Sequence, residues 1–563
     1  MSTGSDGAFR LVSAWLEECL HSHARCRVCA AGESRLPNRV IDIGSLGNPA
    51  EPYLLESSGR QGEYLALSHC WGGGSPVMTT RETIEIHKRG IPSEALPRTF
   101  RDAIHATRKL GHRYLWIDSL CIIQDDRNDW EVEAALMHQY YKSALATIAA
   151  ANGSNCHAGL FRERDGLRYQ PCELQVTGID GAPRQLYAFT NSMSFELKRS
   201  SLSDSFKPVP LYSRAWVFQE QALSPRILTY TRDRVSWRCQ EMIFDERAPL
   251  AKSIDDFIRE DRATDFIRRG DDPRSTDATM AQLQQKWIFP RLDTPFPSRS
   301  IRNIGYHGAD CYSPGDEFLI DWGDIVAEYT RRKLTYQTDK LVAIQGIADA
   351  VAPLVSRTYF AGIWVDSPRS VLMGLVWSSR FRGADSHRVD VAPSWSWAST
   401  DCEVLWSGHM LCRLESKANI VILKDLTAAG KFTGELVIET NVRLASKGEG
   451  HVFAITTWSE PSVGELRGET TTVHQESRWP IDNRETVIGM EEDVGENVQL
   501  WIAELTAGVN HNLRNRKEVH CLVLLACGGT DTAFRRVGYS VWEEQKWENE
   551  ELPELKRKKL TIV

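Results

Sequence analysis

Between Tyr64 and Ala151 three short, uninterrupted apolar runs alternate with two amphipathic stretches. The runs cover residues 64–68, 114–117 and 146–151. Strands buried on both faces read as continuous apolar runs, whereas half-exposed strands alternate. The stretches between the runs carry a helical period. Phe100, Ala103, Ile104, Thr107 and Leu110 recur at intervals of three and four, and Gly111 follows as a stop. A second helix is expected from Asn128, where Glu131 three residues on makes a capping-box-like pair. Trp130, Ala134, Met137 and Tyr141 mark its buried stripe. Strand, helix, strand, helix, strand with short connections is the pattern of a parallel sheet. The expectation is an α/β domain, a mainly parallel sheet flanked by helices.

Sheets of this kind bind ligands beyond the carboxyl ends of their strands. That rule selects residues 70–74, residues 118–125 and the segment after Ala151. Gly72, Gly73 and Gly74 break the first run into a loop. Such a loop can bring backbone N–H groups to a pyrophosphate, or can simply be a tight turn. No G-K-[ST] follows, so it is not a P-loop. Trp71 could stack on a base or pack in the core. Asp118 ends the second run, as a site residue or as the cap of the turn that follows. His69 and Cys70 are adjacent on a strand and point to opposite faces, so they do not form a catalytic dyad with each other.

Further along, residues 211–230 read as a helix stopped by Ser224-Pro225 and followed by a strand, with another strand at 235–239. Residues 250–320 are polar and rich in charged blocks, as in an insertion. Helical periodicity returns at 321–350, and from about 390 the chain turns β-rich. Trp395-Ser396-Trp397 alternates like a strand with two core rings on one face. The expected organisation is a helix and Cys/His segment at 1–60, the α/β domain at 61–250, an insertion and mixed extension packing on it at 251–400, and a β-rich C-terminal domain at 401–563.

With 563 residues, 42% hydrophobic and 25% charged, the chain is in the range of multidomain globular proteins. Its formal net charge of -8 offers no overall basic field, so no nucleic-acid partner is expected. No run reaches the roughly 18 apolar residues of a membrane span. The first residues lack a basic segment followed by an apolar core, so no signal peptide is expected. Thirteen scattered cysteines, an odd number, suit a reducing compartment and a cytoplasmic location. Cys19, His23, Cys26 and Cys29 fall close together and could hold zinc tetrahedrally, or could be reduced structural cysteines.

Three blocks carry a family resemblance. They are YLALSHCWG at 64–72, RYLWIDSLCIIQD at 113–125 with Asp129, Trp130 and Glu133 behind it, and SRAWVFQEQALSPR at 213–226. In this order and spacing they resemble the fungal heterokaryon-incompatibility (HET) domain. DKLVAIQGIAD at 339–349, GIW at 362–364 and APSWSWAS at 392–399 are similar to blocks that trail it. His69 stands where the family more often has an aromatic. The resemblance implies a role in non-self recognition and programmed cell death when incompatible hyphae fuse, a form of innate immunity. It also implies a distant likeness to TIR domains, some of which cleave NAD with a glutamate four residues after a tryptophan. Trp216 and Glu220 have that spacing.

Cleaving the nicotinamide–ribose bond builds positive charge on the sugar, through an oxocarbenium-like transition state. A carboxylate beside the ribose stabilises that charge. Glu220 is the leading catalytic candidate; its bland alternative is a solvated residue or a partner of Arg214 or Arg226. Glu133 and Asp118 follow. Ser68, Trp71, Gly72, Gly73, Gly74, Arg214 and Trp216 are the candidate contacts for NAD+ as substrate. Self-association is expected to complete such a pocket, and a non-catalytic module that recruits partners is the other reading.

Overall fold

The computed structural model describes residues 2–30, 35–45, 47–73, 77–164, 172–177, 183–188, 209–232, 234–246, 252–254, 284, 314–379, 388–406, 411–425, 434–447, 453–456, 471–473, 487–490, 499–510, 516–527, 533–543 and 556–563. Gly74 and most of the polar segment at 250–320 lie outside them. The chain divides into two compact units, Met1–Phe296 and Pro297–Val563.

The first unit begins with α1 (Asp6–Ser22), capped by the Ser5 side chain, and α2 (Ala24–Ala30). A hairpin of β1 (Arg39–Ser45) and β2 (Asn48–Glu56) follows. Then come β3 (Tyr64–Ser68), α3 (Ile84–Arg89), α4 (Arg98–Lys109), β4 (Tyr114–Trp116), α5 (Asp118–Cys121), α6 (Arg127–Ser143) and β5 (Ala146–Ala150). A separate hairpin of β6 (Cys172–Thr177) and β7 (Pro183–Ala188) precedes α7 (Ala215–Leu223). The unit closes with β8 (Ile227–Tyr230), β9 (Val235–Arg238), β10 (Met242–Asp245) and β11 (Lys252–Ser253).

Nine of these strands form one sheet, in the order β11-β10-β9-β8-β5-β3-β4-β1-β2. Its centre is parallel. Leu65 of β3 lies opposite Leu115 of β4 on one side and Ala146 of β5 on the other, and Ile148 of β5 lies opposite Leu228 of β8. Every residue of β3 and β5 is buried, as continuous apolar runs require. Each large aliphatic side chain there contributes about 1.5–3 kcal/mol by leaving water. Antiparallel strands extend both edges. Numbered in chain order, the four parallel strands stand 2-1-3-4. That is a doubly wound arrangement, and its switch point falls between β3 and β5.

The helices follow their local signals. α4 ends at Gly111, whose φ of 84° is cheap only for glycine. The Gly111 N–H donates to the Arg108 carbonyl and the His112 N–H to the Thr107 carbonyl, which is a Schellman closure. α6 starts two residues earlier than its capping-box signal suggests. Its cap is Asp126, whose carboxylate accepts from the Asn128 and Asp129 N–H groups.

The second unit holds α8 (Pro314–Thr330), α9 (Val342–Val355), α10 (Pro368–Leu375), two small hairpins and a ten-stranded sheet drawn from residues 411–562. That sheet is antiparallel except where Ala533 and Phe534 meet the last strand. Trp395 and Trp397 are fully buried, but the segment is a turn running into the short helix Trp397–Ser399. Their indole N–H groups donate to the carbonyls of Gly434 and Gly362, at 3.3 and 2.7 Å. Local hydrogen bonding by Ser396 to the Ala398 N–H favours this turn over a strand. Among the described residues no helix is long and apolar enough to cross a membrane.

Candidate functional site

Because β3, β4 and β5 run parallel, their carboxyl ends share one edge of the sheet. β3 ends at Ser68 and continues through His69, Cys70 and Trp71. β4 runs into Asp118, the first residue of α5. The Trp71 indole N–H donates to Asp118 Oδ2 at 2.8 Å, and the Ser119 N–H donates to Oδ1 at 2.7 Å. Asp118 therefore both closes its own turn and holds Trp71. His69 Nδ1 lies 3.7 Å from Asp118 Oδ1, and the ring stands edge-on to Phe100. Burial pushes the His69 imidazole down to about 4, with Asp118 opposing and Arg214 assisting, so it is neutral at pH 7. Burial also pushes the Cys70 thiol up, which removes the thiolate a nucleophile needs.

α7 brings the second half of the site. Apart from Trp216 all its residues are buried, including Gln219, Glu220 and Gln221. A helix buried nearly all round lies inside the fold, so a carboxylate on it stands out. The helix is fixed at both ends. Arg214, at its N-cap, donates to the His69 carbonyl. At its C-terminus the Ser224 hydroxyl donates to the Glu220 carbonyl, and the Gln284 amide donates to the carbonyls of Gln221, Ala222 and Ser224. Glu220 is 3% exposed. Burial raises its carboxyl to about 7; Arg214, Ser68 and Tyr141 favour the ionised form, and Asp118 opposes it. The Tyr141 hydroxyl donates to the Leu67 carbonyl at 3.4 Å, and burial with the neighbouring Glu220 charge raises its phenol far above the usual range.

Several buried polar atoms here make no hydrogen bond: Ser68 Oγ, both ring nitrogens of His69, Ser119 Oγ and Glu220 Oε2. Ser68 and Glu220 are near enough for the hydroxyl to favour the carboxylate without completing a bond. Buried polar atoms are nearly always paired, so unpaired ones gathered at a strand edge call for an explanation.

The sequence candidates thus divide. Ser68, Trp71, Asp118, Arg214 and Glu220 come together at the switch point. Glu220 is not a solvated residue, and Arg226 is turned away from it. Trp216 is half-buried on α7. Gly72 has a φ of 83°, and a Cβ on it would stand 2.3 Å from Asn155 Cβ and 3.0 Å from Asn155 Cα. Its glycine is therefore accounted for by the close approach of the chain after β5. Gly73 has open space around it. Glu133 is held in another cluster. Its Oε1 accepts from Asn38 Nδ2 at 2.8 Å, its Oε2 accepts from the Tyr140 hydroxyl at 2.9 Å, and Arg39 lies 3.6 Å away. Sequence reasoning did not select His69 or Tyr141. Tyr141 was legible only as a buried stripe residue, and His69 only as a departure from the family pattern and the neighbour of Cys70 in a dyad that strand geometry excludes.

A second polar cluster lies at the opposite, amino edge of the sheet. Cys19, His23, Cys26 and Cys239 are buried, with their potential ligand atoms all within 4.8 Å of one another, and the group could hold a metal ion. Cys29 belongs to α2, but its side chain lies outside those described. The fourth position in this group belongs to Cys239, just after β9.

A family model described as heterokaryon incompatibility protein (HET) matches residues 64–220. No curated protein and no solved structure matches the chain. The matched segment contains all three strand ends, Asp118, Arg214 and, as its last residue, Glu220. What the match shows is a heterokaryon incompatibility (HET) domain over residues 64–220.

Proposed function

We propose that this HET domain drives a cell-death response to non-self by hydrolysing the nicotinamide–ribose bond of NAD+, with Glu220 as the carboxylate beside the ribose. The observation that carries this reading is the buried Glu220 carboxyl, raised to about 7 and with an unpaired oxygen, at the switch point of a doubly wound sheet. A TIR-like ancestry is supported by the four-residue step from Trp216 to Glu220 on a helix between the third and fourth parallel strands. As the C1′–N bond breaks, its electron pair goes to the pyridinium nitrogen and nicotinamide leaves neutral, so no general acid is required. The Glu220 carboxylate stabilises the cationic sugar. Water then bonds to C1′ and gives its proton to Glu220. A cationic nicotinamide ring beside Glu220 would itself favour the ionised carboxylate. Trp71, fixed by Asp118, offers an aromatic face, and Arg214 offers positive charge for the pyrophosphate.

The competing reading is a non-catalytic module that works by self-association and partner recruitment. The closure of Glu220 from solvent favours it. The test is nicotinamide release from NAD+ by the full chain, wild type against Glu220→Gln, at concentrations that span self-association. Release by wild type and its loss in the variant supports hydrolysis. Absence of release from a wild type that is still toxic in cells, with toxicity undiminished in Glu220→Gln, overturns it.

A further inference from the structure

We propose that Cys19, His23, Cys26 and Cys239 bind one zinc ion in a closed, tetrahedral, structural site. Neither the placement of these four ligands nor the groups around their sulfurs depends on NAD chemistry.

The site is assembled from three places. Cys19 lies on α1, four residues before His23 at the helix C-cap, and Cys26 lies on α2. Cys239 follows β9, in the turn to β10. The chain separation between Cys26 and Cys239 leaves no local spacing motif. Zinc bonds of about 2.0–2.3 Å place ligand atoms about 3.3–3.8 Å apart. Atoms already within 4.8 Å of one another need only close by about 1 Å. Three sulfurs and one imidazole nitrogen are a donor set that zinc favours, and four protein ligands leave no open position for catalysis.

The surroundings are those of thiolates. The Arg226 guanidinium is 1% exposed and its Nε donates to Cys19 Sγ at 3.2 Å. Its other bonds go to the carbonyls of Cys26 and Leu145, and among the described residues no carboxylate pairs with it. A buried cation needs a compensating negative charge. Binding releases three thiol protons, and zinc with three thiolates and neutral His23 carries one net negative charge. Arg226 neutralises that charge. The Met242 N–H donates to Cys239 Sγ at 3.3 Å, a second charge-stabilising contact. His23 turns Nδ1 to Cys239 Sγ at 3.3 Å, while its Nε2 lies 3.9 Å from Glu18, so one nitrogen faces the sulfurs and the other a carboxylate. Phe244 stacks on His23 and on Trp15, which shields the cluster from water.

Zinc here would fasten the two N-terminal helices to the β9–β10 edge. Arg226 also immediately precedes β8, and its backbone carbonyl accepts from the Thr147 N–H. The metal would therefore also anchor the segment that leaves the Glu220 helix.

The test is metal analysis of the full chain purified without chelators, with thiol counting and cobalt substitution. The expected result is about one zinc per chain, and on cobalt exchange a thiolate-to-cobalt charge-transfer band with tetrahedral d–d bands. Cys239→Ser and His23→Ala should cut bound zinc at least about fivefold, while Cys156→Ser, buried elsewhere in the same unit, should retain it. If those variants fail to fold, the wild-type stoichiometry and cobalt spectrum decide. Protein that folds with less than about 0.1 zinc and stays metal-free on adding zinc overturns the proposal. So does a disulfide among the three cysteines, or iron with acid-labile sulfide.

Discussion

Glu133 and Glu220 are both glutamates on helices of the same unit, and they are 2% and 3% exposed. Their surroundings differ in kind. Glu133 has an amide, a phenol and a guanidinium around its two oxygens, and Arg39 is further fixed by Asp129 at 2.5 Å and the Cys121 carbonyl at 2.6 Å. Glu220 has one oxygen without a hydrogen bond and a carboxyl pushed up to about 7 by burial. A satisfied buried carboxylate holds a fold together. An unsatisfied one costs stability, and such groups cluster where a protein acts on a ligand.

The largest contrast is expected in activity. On the hydrolytic reading, Glu220→Gln should lower NAD+ cleavage by about 10²–10³-fold, because it removes the charge that stabilises the sugar cation. Glu133→Gln should leave cleavage within about threefold, since that glutamate touches neither substrate nor the strand edge. Nicotinamide release under identical conditions measures both. Comparable losses in the two variants would erase the distinction between them.

Stability should separate the pair next, with opposite signs. Glu133→Ala strands the Asn38 amide, the Tyr140 hydroxyl and part of the Arg39 charge, and should cost about 3–5 kcal/mol. Glu220→Gln should do the reverse at alkaline pH. The folded-state value of about 7 lies above the ordinary 4.5. The folded chain therefore keeps a proton that the unfolded chain loses, and stability falls as pH rises from about 4.5 to about 7. The neutral glutamine avoids that loss. Its advantage should be absent below pH 4.5, grow through that window and level off above 7 at up to about 3 kcal/mol. Urea unfolding of the first unit at pH 4.5, 6 and 8 reads this directly. A pH-independent difference would mean that Glu220 is as well solvated as an ordinary surface carboxylate.

The same two residues show what the sequence could and could not reveal. Three of the four parallel strands were legible because double-sided burial leaves continuous apolar runs, as in 64–68 and 146–151, and the fourth as the strand after the Ser224-Pro225 stop. Of the antiparallel edge strands only β9 was legible, as the run 235–239. β2 carries Pro49 and Pro52, which read as loop, and its pairing with β1 is a tertiary fact. Asp118, Trp71, Arg214 and Glu220 were legible through the strand-end rule and a family spacing. Whether a given glutamate is paired depends on partners such as Asn38 and Arg39, roughly a hundred residues away in the chain for Glu133. For the same reason the local Cys-x-x-C drew attention to Cys29, while space brings in Cys239.

The smallest effect concerns the floor of the Glu220 side. At Gly72 the backbone is left-handed, and any Cβ runs into the backbone and side chain of Asn155. The Cys156 N–H also donates to the Trp71 carbonyl at 3.3 Å, so the two loops move together. Gly72→Ala must therefore shift one loop against the other, at a cost of about 1–3 kcal/mol. Trp71 is the adjacent residue, and its indole bond to Asp118 should lengthen or break. Among the described residues, the partners of Glu133 and Arg39 are Asn38, Tyr140, Asp129 and the Cys121 carbonyl, none of them in residues 69–73, so that cluster should be untouched. Hydrogen exchange of full-length Gly72→Ala against wild type distinguishes the two regions. Faster exchange is expected in residues 69–73 and 117–119, with protection unchanged along the Glu133 turn of α6. Equal loosening in both would show that the strand-end site and the Arg39 cluster form one cooperative unit, and that the unpaired Glu220 is supported by the pairing of Glu133.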